Sequence, residues 1–400
     1  MVLASGWENR HKALVGVWKA SSSADASFAS KLLYSCLCTI DYSLLQMLAL
    51  TSKRLAGTAR LGQALLASAH AIPSARRGKA TASATTLSDA SAPVPGLDLG
   101  SERLRRTVFY VPCSEERKIQ KSLASKADCV MYDLEDGVSL NRKGLARELV
   151  LNALAVNTNK TELGVRINSV GSGLELDDLN VVLRSDKLNT ILVPKVESPK
   201  DIHVVSHLIE SIAPAETRPN IKIIAGIESA LGLMNIRDIA TANDRVDALL
   251  FAAEDYCSDT GITRTPSRKE LYYARSVVAT AAHAFKLQAI DMVCMDFKNM
   301  DVLKEECTEG AQMGFTGKQV IHPAQVDAVQ EHFLPPEDIV FRAWRIVKGY
   351  QKHYELGKGA FDLDGKAIDM PVVKWAYKIL RRVELAGVDL AAKYSDTAGL

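Results

Sequence analysis

Ionisable side chains stand just beyond a series of short apolar runs in this sequence. Asp133, Glu135, Asp136 and Gly137 follow Asp128-Cys-Val-Met-Tyr132, and Arg166 and Asn168 stand at the end of the run that opens at Leu163. Lys195 and Glu197 follow Thr190-Ile-Leu-Val193, and Glu228 follows Ile221-Lys-Ile-Ile-Ala-Gly-Ile227. Glu254 and Asp255 come after Ala248-Leu-Leu-Phe-Ala252, and His322 after Gly317-Lys-Gln-Val-Ile321. A carboxylate beside an apolar run costs desolvation unless something pairs with it. Two carboxylates from adjacent runs, with the other positions open to water and substrate, suit the hard cation Mg²⁺, and Glu228 and Asp255 are the pair chosen here. Zinc is disfavoured because no His pair or Cys cluster accompanies them. The alternative for both is a charge answering the dipole of the following helix. Glu254 is expected to point the other way in an extended chain and to support Asp255.

Arg166 closes an apolar run and should point inward or at a mouth. Its planar guanidinium suits a substrate carboxylate or the charge on an enolate or alkoxide; an internal salt bridge with Glu135 or Asp136 is the alternative, and both can hold at once. Lys195 has the chemistry of a Schiff-base nucleophile, but between Pro194 and Glu197 it reads better as an ion-pair member. His322, before Pro323, suits a helix-start hydrogen bond as well as a substrate contact.

The elements that must position these groups alternate. Thr107-Val-Phe-Tyr-Val111 precedes the runs above, Gln288-Ala-Ile-Asp-Met292 falls among them, and amphipathic stretches such as 143–155, 199–212 and 269–285 lie between. Eight strands, each one βα unit from the next, predict a closed (β/α)₈ TIM barrel over 101–334, whose chemistry sits at the C-terminal ends of its strands. A doubly wound open sheet is the alternative, but the first strand is followed by no Gly-x-Gly-x-x-Gly turn. Residues 335–400 form a helical extension, with helices expected at 338–356 and 372–386.

The first hundred residues are of another kind. Between Met47 and Ser88 stand Lys53, Arg54, Arg60, Arg76, Arg77 and Lys79 with no acidic residue, among Leu, Ala and Ser. That composition is expected of a mitochondrial transit peptide, with a plain disordered tail as the alternative, and Ser91–Gly100 reads as a linker. Forty-nine basic and 47 acidic residues leave a net charge of +2, and the basic residues are not gathered with aromatics, so neither nucleic acid nor membrane is expected as a partner. The seven cysteines show no Cys-x-x-Cys pair and are expected to be free thiols.

Several segments together resemble the citrate lyase β-subunit family of the HpcH/HpaI aldolase superfamily. They are Thr107-Val-Phe-Tyr-Val-Pro112, Tyr132-Asp-Leu-Glu-Asp-Gly-Val138, Val165-Arg-Ile-Asn-Ser169, Val193-Pro-Lys-Val-Glu-Ser198 and Gly226-Ile-Glu-Ser-Ala-Leu-Gly232. Gly314-Phe-Thr-Gly-Lys-Gln-Val-Ile-His-Pro323 and Gly357-Lys-Gly-Ala-Phe361 continue the series, and Ala367-Ile-Asp-Met-Pro371 points to the malyl-CoA-lyase branch. The resemblance implies a barrel enzyme of the mitochondrial matrix that uses Mg²⁺ to cleave a carbon–carbon bond in citramalyl-CoA or malyl-CoA. It implies Glu228 and Asp255 as metal ligands and Arg166 as the substrate-binding arginine. It implies Asp369 as the catalytic aspartate, offered by a neighbouring subunit of a homo-oligomer, a trimer being favoured, with shared active sites. It also implies substrate or CoA contacts at Tyr110, Lys121, Ile321 and His322, and at Arg117, where the family has lysine.

The chain departs from that pattern in having Pro112-Cys113 for Pro-Gly and Ala252-Ala253-Glu254-Asp255 for Gly-Gly-Glu-Asp. The two added methyls are expected to narrow the substrate pocket. A malate synthase or malyl-CoA thioesterase using the same site, and a non-catalytic CoA-ester binding subunit, are the alternative readings.

Overall fold

The computed structural model describes residues 94–99, 103–157, 161–357 and 359–394. Apart from 94–99, the expected leader and linker lie outside the described residues, as do Cys36 and Cys38. Strands β1 (Thr107–Pro112), β2 (Cys129–Asp133), β3 (Glu162–Arg166), β4 (Thr190–Val193), β5 (Lys222–Ile227), β6 (Val246–Phe251), β7 (Gln288–Asp291) and β8 (Gly317–Val320) pair in sequence order. All pairings are parallel, and β8 returns to β1 from Thr107↔Lys318 to Phe109↔Val320, closing the barrel.

The apolar runs form strands because both of their faces are buried. Val108, Cys129, Met131, Leu192, Ile224, Ala248, Leu250 and Ile290 cluster together and fill the barrel interior. The alternate residues, among them Phe109, Val130, Val165, Ile191, Ile223 and Leu249, join a second cluster with the surrounding helices. The N-terminal end of the barrel is plugged by fully buried Arg105, which donates to Glu162, Asp247 and Gln288. Polar chemistry therefore has room at the opposite end.

Ten helices of the barrel layer follow in order: α1 (Glu116–Ser122), α2 (Lys143–Val156), α3 (Glu175–Val182), α4 (Pro199–Ile212), α5 (Ala230–Met234), α6 (Ile236–Ala240), α7 (Ala253–Thr260), α8 (Tyr272–Ala284), α9 (Met300–Met313) and α10 (Val326–His332). Helix α4 starts where the sequence expects: Pro199 needs no partner for a backbone N–H, and the Asp201 carboxylate accepts from Ser198 N at 2.9 Å. One expectation needs correction. The sixth strand stops at Phe251, and Glu254 and Asp255 stand in the first turn of α7 rather than in extended chain.

Beyond the barrel, α11 (Glu337–Glu355) and α12 (Met370–Leu385) pack with a separate apolar cluster that includes Val340, Ile346, Phe361, Ile368 and Leu380. A hairpin unforeseen from the sequence, β9 (Phe361–Leu363) with β10 (Lys366–Ile368), precedes α12. Its turn is Asp364-Gly365, both at positive φ, a pair suited to a tight two-residue loop. A last turn, α13 (Leu390–Lys393), ends the described chain. Among the described residues no helix is long and apolar enough to cross a membrane, and the five described cysteines are free.

Candidate active site

Asp133 and Arg166 are the last residues of β2 and β3 and sit opposite one another in register. Arg166 donates from Nε and Nη2 to the two Asp133 oxygens, each at 2.7 Å, and its Nη1 lies 2.9 Å from Glu135 Oε2. Burial opposes the guanidinium charge, but the attraction and hydrogen bonds of Asp133 hold its pKa well above the usual range. The internal pairing foreseen for Arg166 therefore exists, with Asp133 as the main partner in addition to Glu135. The guanidinium also stands 4.9 Å over the Tyr110 ring. Gly137 closes this corner: its N–H donates to Asp133 Oδ2 at 2.9 Å, and a Cβ there would lie 2.4 Å from that oxygen.

Glu228 follows β5 directly and is 4% exposed. The backbone N–H of Lys195 faces its carboxylate and favours the charged form, while Oε2 is buried with no hydrogen-bond partner. Burial, then repulsion from Glu135 and Asp255, pushes its pKa up to about 8. The carboxylate folds back over Gly226, where a Cβ would meet Glu228 Oε1 at 2.6 Å. A buried carboxylate with an orphaned oxygen, beside a second carboxylate from the next βα unit, fits a hard divalent cation better than it fits a helix-dipole charge. Among the described residues no group of three or more His, Cys, Asp or Glu is arranged to hold a metal ion, so most of the coordination would come from water and substrate.

Lys195, two residues beyond β4, has its ammonium 2.5 Å from Glu135 Oε1, 3.2 Å from Asp136 Oδ2 and 3.7 Å from Asp255 Oδ1. It is an ion-pair member, as the sequence suggested. Burial works against its charge, but the Glu135 hydrogen bond and the surrounding carboxylates raise its pKa above the usual lysine range. Glu197 is also paired, accepting from the Ser229 hydroxyl at 2.9 Å.

Three supporting residues escaped the sequence reading. Gln319 of β8 accepts from the Tyr110 hydroxyl at 3.0 Å and donates to Phe251 O and Asp291 O, spanning three neighbouring strand ends. Lys143 donates to Leu134 O, Glu135 O and Asn168 Oδ1 within 2.8 Å, tying the loops after β2 and β3 together. Arg264 links Glu254 at 2.5 Å to Glu306 at 2.8 Å, which fixes the start of α7 against α9. An amide in a strand and a lysine at a helix start carry no sequence signal of such roles; Asp133 did, as a charge at a strand end. The two alanines separate as well. Ala252 packs with Tyr110 against the interior cluster, whereas Ala253 is fully buried in the outer layer, so one added methyl, not two, adjoins the mouth.

Tyr110, Arg166, Glu228 and Asp255 thus form one group. Arg117 and Lys121 lie exposed on α1 after β1. Ile321 is exposed, and His322 starts a short 3₁₀ turn, accepting from Ala324 N at 3.2 Å while stacking on Phe297 at 5.0 Å. Asp369 is exposed at the start of α12 and accepts from Val372 N at 3.3 Å. Among the described residues, its carboxylate has no hydrogen-bond or ion-pair partner in the barrel.

Comparison with known proteins gives matches over most of the described chain. A family profile described as HpcH/HpaI aldolase/citrate lyase matches residues 106–323. The chain is 38% identical over 287 residues to the mitochondrial citramalyl-CoA lyase of Rattus norvegicus, covering 69% of this chain and 85% of that protein. It is 34% identical to the citrate lyase subunit beta of Leuconostoc mesenteroides subsp. cremoris, covering 71% and 94%. A solved structure of CitE from Mycobacterium tuberculosis, in complex with magnesium, acetoacetate and coenzyme A, superposes with a TM-score of 0.59 at 27% identity, covering 71% of this chain and 100% of that one.

Proposed function

The chain belongs to the HpcH/HpaI aldolase/citrate lyase family and is a carbon–carbon lyase, and from that premise we propose that it cleaves citramalyl-CoA to pyruvate and acetyl-CoA. Malyl-CoA, giving glyoxylate and acetyl-CoA, is the second substrate considered. The observation that carries the reading is the buried Glu228 carboxylate, orphaned at Oε2, beside Asp255 and facing the Arg166 corner. Mg²⁺, which accompanies acetoacetate and coenzyme A in the Mycobacterium tuberculosis CitE structure, is the cation proposed for Glu228 and Asp255. When bound, it supplies Lewis acidity toward the hydroxyl and carboxylate of the substrate.

The chain's own residues supply the rest. Arg166, anchored on Asp133 and Glu135, presents a fixed positive charge where the alcohol oxygen, its proton passing to water at the open mouth, becomes a carbonyl. Tyr110 is half-buried, and desolvation holds its phenol in the protonated form, so its hydroxyl can act as a donor. As the carbon–carbon bond breaks, its electron pair goes to the acetyl-CoA fragment, and Asp369 is assigned as the general acid through which a proton reaches that carbon. We assign Asp369 to the site of a neighbouring subunit in a homo-oligomer, with a trimer favoured, and Arg117, Lys121, Ile321 and His322 to contacts with the CoA thioester. The corresponding organisation is a leader over 1–100, a barrel over 101–334 and a tail over 335–400 that carries Asp369. The basic leader and the mitochondrial relative support import into the matrix.

The test is a product assay with citramalyl-CoA and malyl-CoA, with Mg²⁺ and with chelator. Pyruvate and acetyl-CoA formed in equal amounts, dependent on Mg²⁺, are expected. Free CoA in place of acetyl-CoA would assign the chain to the hydrolysing branch, and no cleavage of either thioester would overturn the reading.

A further inference from the structure

Lys195 reaches the two proposed metal ligands by separate routes. Its backbone N–H faces the Glu228 carboxylate, and its ammonium lies 3.7 Å from Asp255 Oδ1. The backbone route requires φ 51°, a region that residues bearing a side chain rarely adopt. Neighbours impose it: Val196 N–H donates to Gly226 O at 3.0 Å, and the strands approach so closely that a Cβ on Gly226 would lie 3.2 Å from Pro194 Cα. Glycine would hold this turn without strain, so what lysine adds is the ammonium.

The charges around it do not balance. Glu135, Asp136 and Asp255 face this end of the barrel, while Arg166 is engaged on both of its edges by Asp133 and Glu135 and the Lys143 ammonium is held by Leu134 O, Glu135 O and Asn168 Oδ1. Lys195 is the cation that spans the rest, reaching Glu135, Asp136 and Asp255 together, and its side chain is 37% exposed, so it has somewhere to go.

We propose that the Lys195 ammonium is a built-in counter-ion that holds Asp255 against Glu135 in the metal-free protein and gives up Asp255 when the divalent cation binds. Lys195 is then a positioning residue that sets metal affinity from two sides. Its backbone orients one ligand, and its ammonium competes for the other. The inference rests on Glu228 and Asp255 being the metal ligands. Because two cations a few ångströms apart repel strongly in a partly buried site, removing the ammonium should tighten metal binding, whereas loss of a merely structural residue would weaken it or leave it unchanged.

The experiment titrates the metal-free full-length protein with Mg²⁺ by calorimetry and with Mn²⁺ by electron paramagnetic resonance, at one pH. Lys195→Met, which keeps the length and removes the charge, is expected to bind either ion about tenfold tighter or more. Lys195→Arg, which keeps a charge there, should stay within about threefold of wild type. Lys195→Met should also lower the thermal midpoint of the metal-free protein more than that of the Mg²⁺-loaded protein. Unchanged or weaker binding by Lys195→Met overturns the proposal. Should that variant fail to fold, Lys195→Gly removes the same charge and the positive-φ strain together and is read in the same way. Glu228→Gln separates the premise from the inference: if it binds Mg²⁺ as tightly as wild type, the ligand assignment is what fails.

Discussion

The Arg166 guanidinium and the Asp133 carboxylate meet through two parallel hydrogen bonds of 2.7 Å at the paired ends of β2 and β3. This geometry gives the arginine one orientation, with its remaining edge toward Glu135 and its face over Tyr110. Asp133→Asn keeps the shape but turns an amide N–H₂ toward a guanidinium donor. It should lower kcat by about 10²-fold, because Arg166 no longer points at the developing oxygen charge. Global stability should fall by about 2–3 kcal/mol, short of a fully broken buried pair because Glu135 still contacts Arg166. Turnover and urea denaturation measure the two effects; wild-type turnover would remove Asp133 from the mechanism.

Gly226→Ala tests the packing that aims Glu228. The new Cβ would lie 2.6 Å from Glu228 Oε1 and 3.1 Å from Val193 O, and the backbone oxygen cannot swing aside as a side chain can. The carboxylate should be driven from its position, weakening Mg²⁺ binding by about tenfold or more while the overpacked strand pair costs about 1–3 kcal/mol. Calorimetric titration with Mg²⁺ reads the first effect directly, and retained affinity would show that Glu228 has room elsewhere.

The Glu228 carboxyl makes the metal-free protein sensitive to pH. Its pKa is about 8 in the folded chain, and an unfolded glutamate titrates near 4.3. Between these values the folded state keeps a proton that the unfolded state has released, so the contribution to stability is full below about 4.3 and is lost as pH rises through 8. The unfolding free energy in chelator should fall across that window by an amount on the order of 5 kcal/mol. Glu228→Gln should flatten the slope, and saturating Mg²⁺ should reverse the disadvantage at high pH by binding the ionised form. An identical slope in Glu228→Gln would show that other groups cause it.

Asp369→Asn separates chemistry from helix capping. Asparagine caps a helix about as well as aspartate, so the thermal midpoint should barely move, whereas Asp369→Ala should cost about 1 kcal/mol. Turnover in Asp369→Asn should nevertheless fall by roughly 10²–10⁴ with metal binding unchanged. Mixing inactive Asp369→Asn with inactive Asp255→Asn then tests sharing between subunits. Partial recovery is expected, since some interfaces would join an intact metal site to an intact Asp369. If subunits exchange and no activity returns, Asp369 acts within its own chain or not at all.

The eight strands and their order could be read from local pattern because each is a short run buried on both faces. Burial on both faces leaves a continuous apolar signature in runs such as β4, and a weaker one in β7 and β8, whose buried residues include Gln288, Asp291, Lys318 and Gln319. For the same reason Arg166 and Glu228 were legible as candidates: a charge abutting such a run is costly and demands a purpose. Asp369 became a candidate through resemblance alone, since an exposed aspartate before a helix looks like any N-cap.

Tertiary structure decided which partner each charge takes. Pairing depends on strand register and on where the helices begin, which sequence pattern specifies to within a few residues, and a shift of one residue turns a side chain to the opposite face. Asp133 rather than Asp136 became the anchor of Arg166 because β2 and β3 pair residue for residue at their last positions. Glu254 turned to Arg264 because α7 begins at Ala253, which also sends the Ala253 methyl into the outer layer and leaves that of Ala252 near the mouth. The left-handed turn at Lys195 is the clearest case. Nothing in the local preference of lysine asks for φ 51°; the close approach of β4 and β5 at Pro194 and Gly226 imposes it, and from that turn the ammonium reaches Glu135, Asp136 and Asp255.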